Sequence, residues 1–158
     1  MLCTGNAARS VIAGAALAQR LPQVGIETAG TLTVDGQPMS WRTRAALEHV
    51  GVAVPTGHRS RQATRADLDD ATLVIGLAPE HVAWVRREHP EASAKTATLR
   101  RLCRDLADTA GATLADVELE SWEEVEDPGG GEADVFVACA VTVVGLVDTL
   151  AGELATLV

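Results

Sequence analysis

Cys3-Thr4-Gly5-Asn6-Ala7-Ala8-Arg9-Ser10 stands at the head of the chain, immediately before a run with helical spacing. A thiol followed six residues later by an arginine and then a hydroxyl is the spacing of a short loop that curls around a tetrahedral oxyanion. Gly5 and Asn6 give the backbone freedom for successive N–H groups to converge on one point. The planar fork of Arg9 can hold two equatorial oxygens, and its place in the first turn of a helix adds the positive end of the helix dipole. A guanidinium, a helix start and the Ser10 hydroxyl are surroundings in which a cysteine serves as a nucleophile. The stretch therefore predicts Cys3 as nucleophile, Arg9 as anion clamp, and Thr4, Gly5, Asn6, Ala7, Ala8 and Ser10 as the body of a phosphate-binding loop.

Such a loop is delivered to the mouth of a sheet by a buried parallel strand. Only Met1 and Leu2 precede Cys3, so the first strand reads as truncated, and a natural start some residues upstream is the expectation. Beyond the loop, Ile12, Ala16, Leu17 and Leu21 recur at helical spacing until Pro22 ends the run. Gly25 to Ala29 reads as a strand, and Thr31 to Met39 as a loop returning to the same end of the sheet. Ser40 caps a helix that Gly51 stops. Asp67, Asp69 and Asp70 read as solvated turn residues, and Leu73 to Leu77 as a strand buried on both faces. Pro79 opens a helix reaching Glu88, Trp84 is expected to pack, and Lys95 to Leu99 reads as a short last strand. Leu99 to Leu106 carries a helical turn or two, Gly111 to Leu119 gives no clear pattern, and Ala133 to Leu157 is a long closing helix. Strands alternating with helices in this order predict a doubly wound α/β sheet with helices on both faces.

The chain has 158 residues, which suits one domain spanning 1–158. Nearly half of its residues are apolar and it contains no tyrosine, so the core must be built from Ala, Val and Leu. A net charge of −9 argues against nucleic acid or an anionic membrane as partner. The groups Arg59, Arg61, Arg65 and Arg100, Arg101, Arg104 read as solvated faces. Three cysteines without paired spacing give neither a disulfide framework nor a zinc pattern, and together with the lack of a leader they predict a reducing, cytoplasmic setting. Cys139 is expected in the core and Cys103 as a quiet, half-buried thiol. The apolar run Val135 to Val147 reads as too short to span a bilayer of about 30 Å.

A thiolate that displaces an alkoxide from phosphorus needs a proton for the leaving oxygen, and later a base to activate water. Asp127 suits both tasks, because Pro128 stiffens its backbone and the glycines beyond let the loop lie close to a substrate. His58, in the polar stretch Gly57 to Thr64, can brace the phosphate loop by a hydrogen bond.

With the loop at Cys3 to Ser10, the words Thr28-Ala29-Gly30-Thr31 and Gly57-His58-Arg59-Ser60-Arg61-Gln62-Ala63-Thr64, the strand at Leu73, and Glu126-Asp127-Pro128, the chain resembles the low-molecular-weight protein tyrosine phosphatases and the arsenate reductases of the same fold. The resemblance implies a four-stranded parallel sheet with helices on both sides, no metal or other cofactor, and catalytic roles for Cys3, Arg9 and Asp127, with Asn6, Ser10 and His58 supporting the loop. It also implies two departures. Ala8 stands where the family commonly has a second cysteine, and Gly129 and Gly130 stand where it commonly has tyrosines that grip an aromatic ring. The expected activity is hydrolysis of a phosphomonoester through a phosphocysteine, on a phosphorylated protein or a small phosphate. The alternatives are arsenate reduction coupled to an external thiol, and a phosphate-binding module without turnover. Oligomeric state is left open.

Overall fold

A computed structural model of the chain describes residues 1–109 and 113–157. Four parallel strands, β1 (Leu2–Cys3), β2 (Ala29–Gly30), β3 (Val74–Gly76) and β4 (Thr96–Thr98), form one sheet in the order β2-β1-β3-β4. Leu2 pairs with both Ala29 and Gly76, so β1 is an inner strand despite having only two residues. Among the described residues six α-helices accompany the sheet: α1 (Arg9–Arg20), α2 (Trp41–His49), α3 (Arg65–Asp70), α4 (Pro79–Glu88), α5 (Leu99–Thr109) and α6 (Ala133–Leu157).

Alternation along the strands divides the interior into two cores. Cys3, Ile75 and Ala97 face one side and join Ile12, Leu17, Leu47, Leu99, Leu102, Val143 and Leu150 from α1, α2, α5 and α6. Leu2, Ala29 and Val74 face the other and join Leu68 of α3 and Val85 of α4. Successive residues of a strand point to opposite faces, so even these short strands seed both layers. Trp84 packs against the second core and meets the His89 ring at 5.0 Å.

Several local signals act as their chemistry dictates. The Ser40 side chain accepts from Thr43 N–H, and Gly51, with φ of 69°, follows the end of α2. Pro79 occupies the first position of α4, where its missing N–H costs nothing. The strand expected from Gly25 begins only at Ala29 and includes Gly30. Asp67, Asp69 and Asp70 are helical rather than turn residues. Thr64 and Asp67 form a reciprocal capping box that starts α3 at Arg65. Burial opposes ionisation of Asp67, yet the Thr64 N–H and the Arg61 guanidinium outweigh it and hold its carboxyl below the usual range. In the stretch left unread, Gly111 and Ala112 lie outside the described residues, and Leu114–Asp116 makes a single 3-10 turn.

The closing helix has the bounds the sequence predicts, but its apolar run is longer than expected. It runs 25 residues, about 37 Å at 1.5 Å per residue, and its stretch Ala133–Ala155 is long and apolar enough to cross a membrane, with mean hydropathy 2.1. The apolar pattern continues past Val147 through Leu150 and Leu154, which the shorter reading left out. One seam of it, Phe136, Cys139, Ala140, Val143, Val147, Leu150 and Ala151, is buried against the body of the fold. This helix belongs to the core along that seam.

Candidate active site

The chain leaves β1 with β2 on one side and β3 on the other, and the crevice at this switch point is where α/β sheets place their ligands. Residues 4–8 turn there before α1 begins. Most carbonyls of this stretch are engaged away from its hollow. Cys3 O accepts from Thr31 N–H at 2.9 Å, Thr4 O from Leu32 N–H at 3.0 Å, Ala7 O from the Thr43 hydroxyl at 2.9 Å, and Ala8 O from Ile12 N–H at 2.9 Å. His58 Nε2 lies 2.9 Å from Asn6 O, so this nitrogen carries the proton. In a trans peptide the N–H points opposite to the C=O. The amides of Thr4, Gly5, Ala7, Ala8 and Arg9 therefore face the hollow of the loop, an anion nest at a helix N-terminus.

Asn6 makes the turn possible. It has φ of 50° and is fully buried. Its Nδ2 donates to Ser10 Oγ at 3.1 Å and to Thr28 Oγ1 at 3.0 Å, while its Oδ1 accepts from Arg61 N–H at 3.1 Å. Ser10 Oγ in turn lies 3.0 Å from Cys3 Sγ. Gly30 gives the loop its clearance, because a Cβ there would stand 2.5 Å from Thr4 O and 3.1 Å from Asn6 N, besides striking Thr33 Oγ1.

Arg9 is 2% exposed. Its Nη1 donates to Val125 O at 3.1 Å, and its Nη2 to Thr4 Oγ1 at 3.3 Å and to Asp127 Oδ2 at 2.7 Å. Asp127 also accepts from Gly129 N–H at 2.9 Å through Oδ1. The segment carrying it is anchored from below. Val125 N–H donates to Leu77 O at 2.8 Å, and the buried Glu123 accepts from Thr98 Oγ1 at 2.5 Å and from Arg101. Burial pushes the Glu123 carboxyl up, but Arg101, Thr98 and the Glu120 N–H together hold it below its usual range. Arg100 donates to Glu124 O at 2.8 Å, and the Arg104 guanidinium lies 3.9 Å from the centre of the Trp122 ring. Arg104 is exposed as expected, whereas Arg100 and Arg101 are half-buried and clasp the chain that presents Asp127.

Cys3, Arg9, Ser10, Asn6, His58 and Asp127 are brought together as the sequence predicts. Two residues of the site were missed. His81, in the first turn of α4, is fully buried, with Nε2 3.1 Å from Thr4 Oγ1. Burial first, then the Arg9 charge, pushes its ring down to about 3, against a smaller upward pull from Asp127. It is therefore neutral at physiological pH, and its buried Nδ1 has no hydrogen-bond partner among the described residues. A proton on Nε2 suits both acceptors beside it, Thr4 Oγ1 and Glu80 Oε1. Glu80 Oε1 also accepts from Thr4 Oγ1 at 3.2 Å. The available signal was positional. A helix opening at the carboxyl end of the strand next to β1 must present its first turn to the same crevice.

The other two thiols are held in the protein interior, Cys139 close enough to feel the charges of Arg9 and Asp127. Cys103 donates to Leu146 O at 3.1 Å, and burial pushes it up to about 11. Cys139 sits in the core seam of α6 and is pushed up, also by burial, to about 11.

A family model described as low molecular weight phosphotyrosine protein phosphatase matches residues 1–156. A protein-arginine-phosphatase of Geobacillus stearothermophilus is 31% identical over 156 residues, covering 98% of this chain and 94% of that protein. The low molecular weight protein-tyrosine-phosphatase Etp of Escherichia coli K12 is 31% identical over 96 residues, 61% of this chain and 64% of its own. Among solved structures, the YwlE arginine phosphatase from Geobacillus stearothermophilus superposes with a TM-score of 0.80 at 31% identity, covering 98% of this chain and 90% of the other.

Proposed function

Because this chain belongs to the low molecular weight phosphotyrosine protein phosphatase family, we propose that Cys3, Arg9 and Asp127 carry its phosphatase reaction and that the phosphoryl group it removes is borne on arginine. The observation that supports the roles is the closed cradle: inward amides, a buried Arg9 and a carboxylate bonded to it, all converging above Cys3.

In this reading the Cys3 thiolate attacks phosphorus in line with the leaving group. The S–P bond forms as the bond to the leaving nitrogen or oxygen breaks, and Asp127 gives that atom a proton. The loop amides and Arg9 hold the charge spread over the three equatorial oxygens. Asp127, now a carboxylate, takes a proton from water as the water attacks the phosphocysteine. The S–P bond breaks, and inorganic phosphate and the thiolate are released. Ser10, 3.0 Å from Sγ, donates to the thiolate at both ends of the cycle.

Two observations support arginine over tyrosine. The arginine phosphatase matches over nearly the whole of both chains, whereas the tyrosine phosphatase Etp matches over less than two thirds. The chain also contains no tyrosine, and Gly129 and Gly130 follow Asp127-Pro128, so no aromatic ring from this loop can stack on a phenyl substrate.

The test is rapid-mixing release of phenolate from a chromogenic aryl phosphate, with wild type and Cys3→Ser. A burst followed by turnover in wild type, and neither in the variant, is expected. Release that survives in Cys3→Ser refutes the phosphocysteine route. A phosphoarginine peptide and a phosphotyrosine peptide compared at equal concentration then decide the substrate class. Thiol-dependent reduction of arsenate, without phosphatase turnover, would favour the reductase alternative.

A further inference from the structure

Glu80 lies in the first turn of α4, where an acidic residue ordinarily faces its own helix amides and solvent. Here it leans across to the phosphate loop. Its Oε1 accepts from Thr4 Oγ1 at 3.2 Å, lies 3.3 Å from His81 Nε2, and stands 4.0 Å from Arg9 Nη2. Asp127 reaches the same Nη2 from the other wall at 2.7 Å. Both carboxylates are open to incoming ligand, with side-chain exposures of 66% for Glu80 and 52% for Asp127, while the arginine between them is buried.

Two carboxylates within 4.0 Å of the buried guanidinium work against binding a bare dianion. A phosphoryl group that takes the Arg9 N–H groups would leave the Glu80 carboxylate facing its outer side. An aryl ester brings only a ring and oxygens to that position, so the like charges repel with nothing to offset them. An N-phosphorylated arginine brings a planar cation whose remaining N–H groups can pair with the Glu80 carboxylate. Glu80 stays hydrated until it meets such a group, so little desolvation opposes the pairing.

We propose that Glu80 is a specificity-determining residue, whose carboxylate takes a guanidinium beside the phosphoryl group while Asp127 holds the proton for the leaving nitrogen. The inference rests on the phosphatase reading above and assigns the source of its selectivity. Asp127 serves the proton transfer for either substrate class. Glu80 serves only the cationic one, held in place by Thr4 and by the neutral ring of His81.

The experiment compares kcat/KM for a phosphoarginine peptide and for a chromogenic aryl phosphate in wild type, Glu80→Gln and Glu80→Lys, after equal thermal stability has been checked. Glu80→Gln keeps the side-chain shape and removes the charge. The ratio of the two kcat/KM values is expected to fall about tenfold in Glu80→Gln and further in Glu80→Lys, through KM for the arginine substrate. An unchanged ratio, with both substrates slowed alike, overturns the inference and leaves Glu80 as a prop for Thr4. Wild type that turns over the aryl phosphate but not phosphoarginine also overturns it, together with arginine as the bearer of the phosphoryl group, while the roles of Cys3, Arg9 and Asp127 stand. Wild type inactive on both removes the phosphatase reading and the inference together.

Discussion

Replacing Asn6 by alanine removes more than a side chain from the phosphate loop. Three hydrogen bonds disappear, to Ser10, Thr28 and the Arg61 amide, each worth about 1 kcal/mol net in a buried setting. Alanine must also adopt φ of 50°, which costs about 1 kcal/mol more than it does for an asparagine. The expected loss is about 4 kcal/mol, a fall in Tm of roughly 8–16 °C for a chain of this size. Glycine at the same position loses the bonds but not the backbone freedom, so Asn6→Gly should be about 1 kcal/mol more stable than Asn6→Ala. Urea unfolding of wild type and the two variants measures both terms. Activity reports the rest, because Asn6 orients the Ser10 hydroxyl that meets Cys3 Sγ, and kcat should fall roughly ten- to a hundredfold in either variant. If Asn6→Ala costs less than about 1.5 kcal/mol, or the alanine and glycine variants are equally stable, the account of this residue as the keystone of the loop is wrong.

His81 should make the protein acid-sensitive. Its ring titrates near 3 when folded against 6.5 as the ordinary value, so the unfolded chain binds the extra proton between those limits. The stability it contributes is complete above pH 6.5 and is lost as pH falls toward 3. Between pH 6 and 4 this amounts to about 2 kcal/mol, and a denaturation series in which His81→Gln shows the same acid slope as wild type would refute it. Gly30→Ala forces a Cβ against the Thr4 carbonyl, so inhibition by inorganic phosphate should weaken at least about tenfold and stability fall by about 1–3 kcal/mol. Unaltered phosphate inhibition would mean that the loop gives way without cost. Asp127→Asn should lower kcat about 10²–10⁴-fold on a peptide substrate and much less on an aryl phosphate whose phenolate leaves unaided; equal losses on both would argue against its role as proton donor.

The motif from Cys3 to Ser10 was legible because its chemistry is local: thiol, turn residues and arginine are bound together by spacing alone. The alternation of apolar runs with capped helices was enough to place four of the six helices described and two of the strands within a residue or two, since Pro79, Ser40 and Gly51 each act on their own segment. What could not be read was set by tertiary approach. Gly30 looks like the end of a strand until Thr4 and Asn6 lie against it. Glu80 and His81 look like ordinary first-turn residues until β3 is known to run beside β1. Arg100 and Arg101 read as surface because their partners, Glu118, Glu123 and Glu124, lie in a stretch with no periodic pattern. The capping box of α3 was present in sequence as Thr64 and Asp67, and went unread because the three aspartates suggested a turn.

The inner position of β1 carries a consequence for how the molecule comes into being. Arg9 reaches its partners Val125 and Asp127 across 116 and 118 residues of chain, so the pocket is closed by its longest-range contacts. Such contacts repay their loop-closure entropy late, and they make folding slower than the helices alone would allow. At about 5–20 residues per second, a ribosome needs several seconds at least to travel from the cysteine to the segment that shelters it. During that interval the thiol is free for oxidants and for any passing electrophile, with no second loop cysteine beside it at Ala8 to share a reversible disulfide. The nascent chain is therefore at its most vulnerable before it is an enzyme, and closure of Val125 and Asp127 onto Arg9 is the step that ends the exposure.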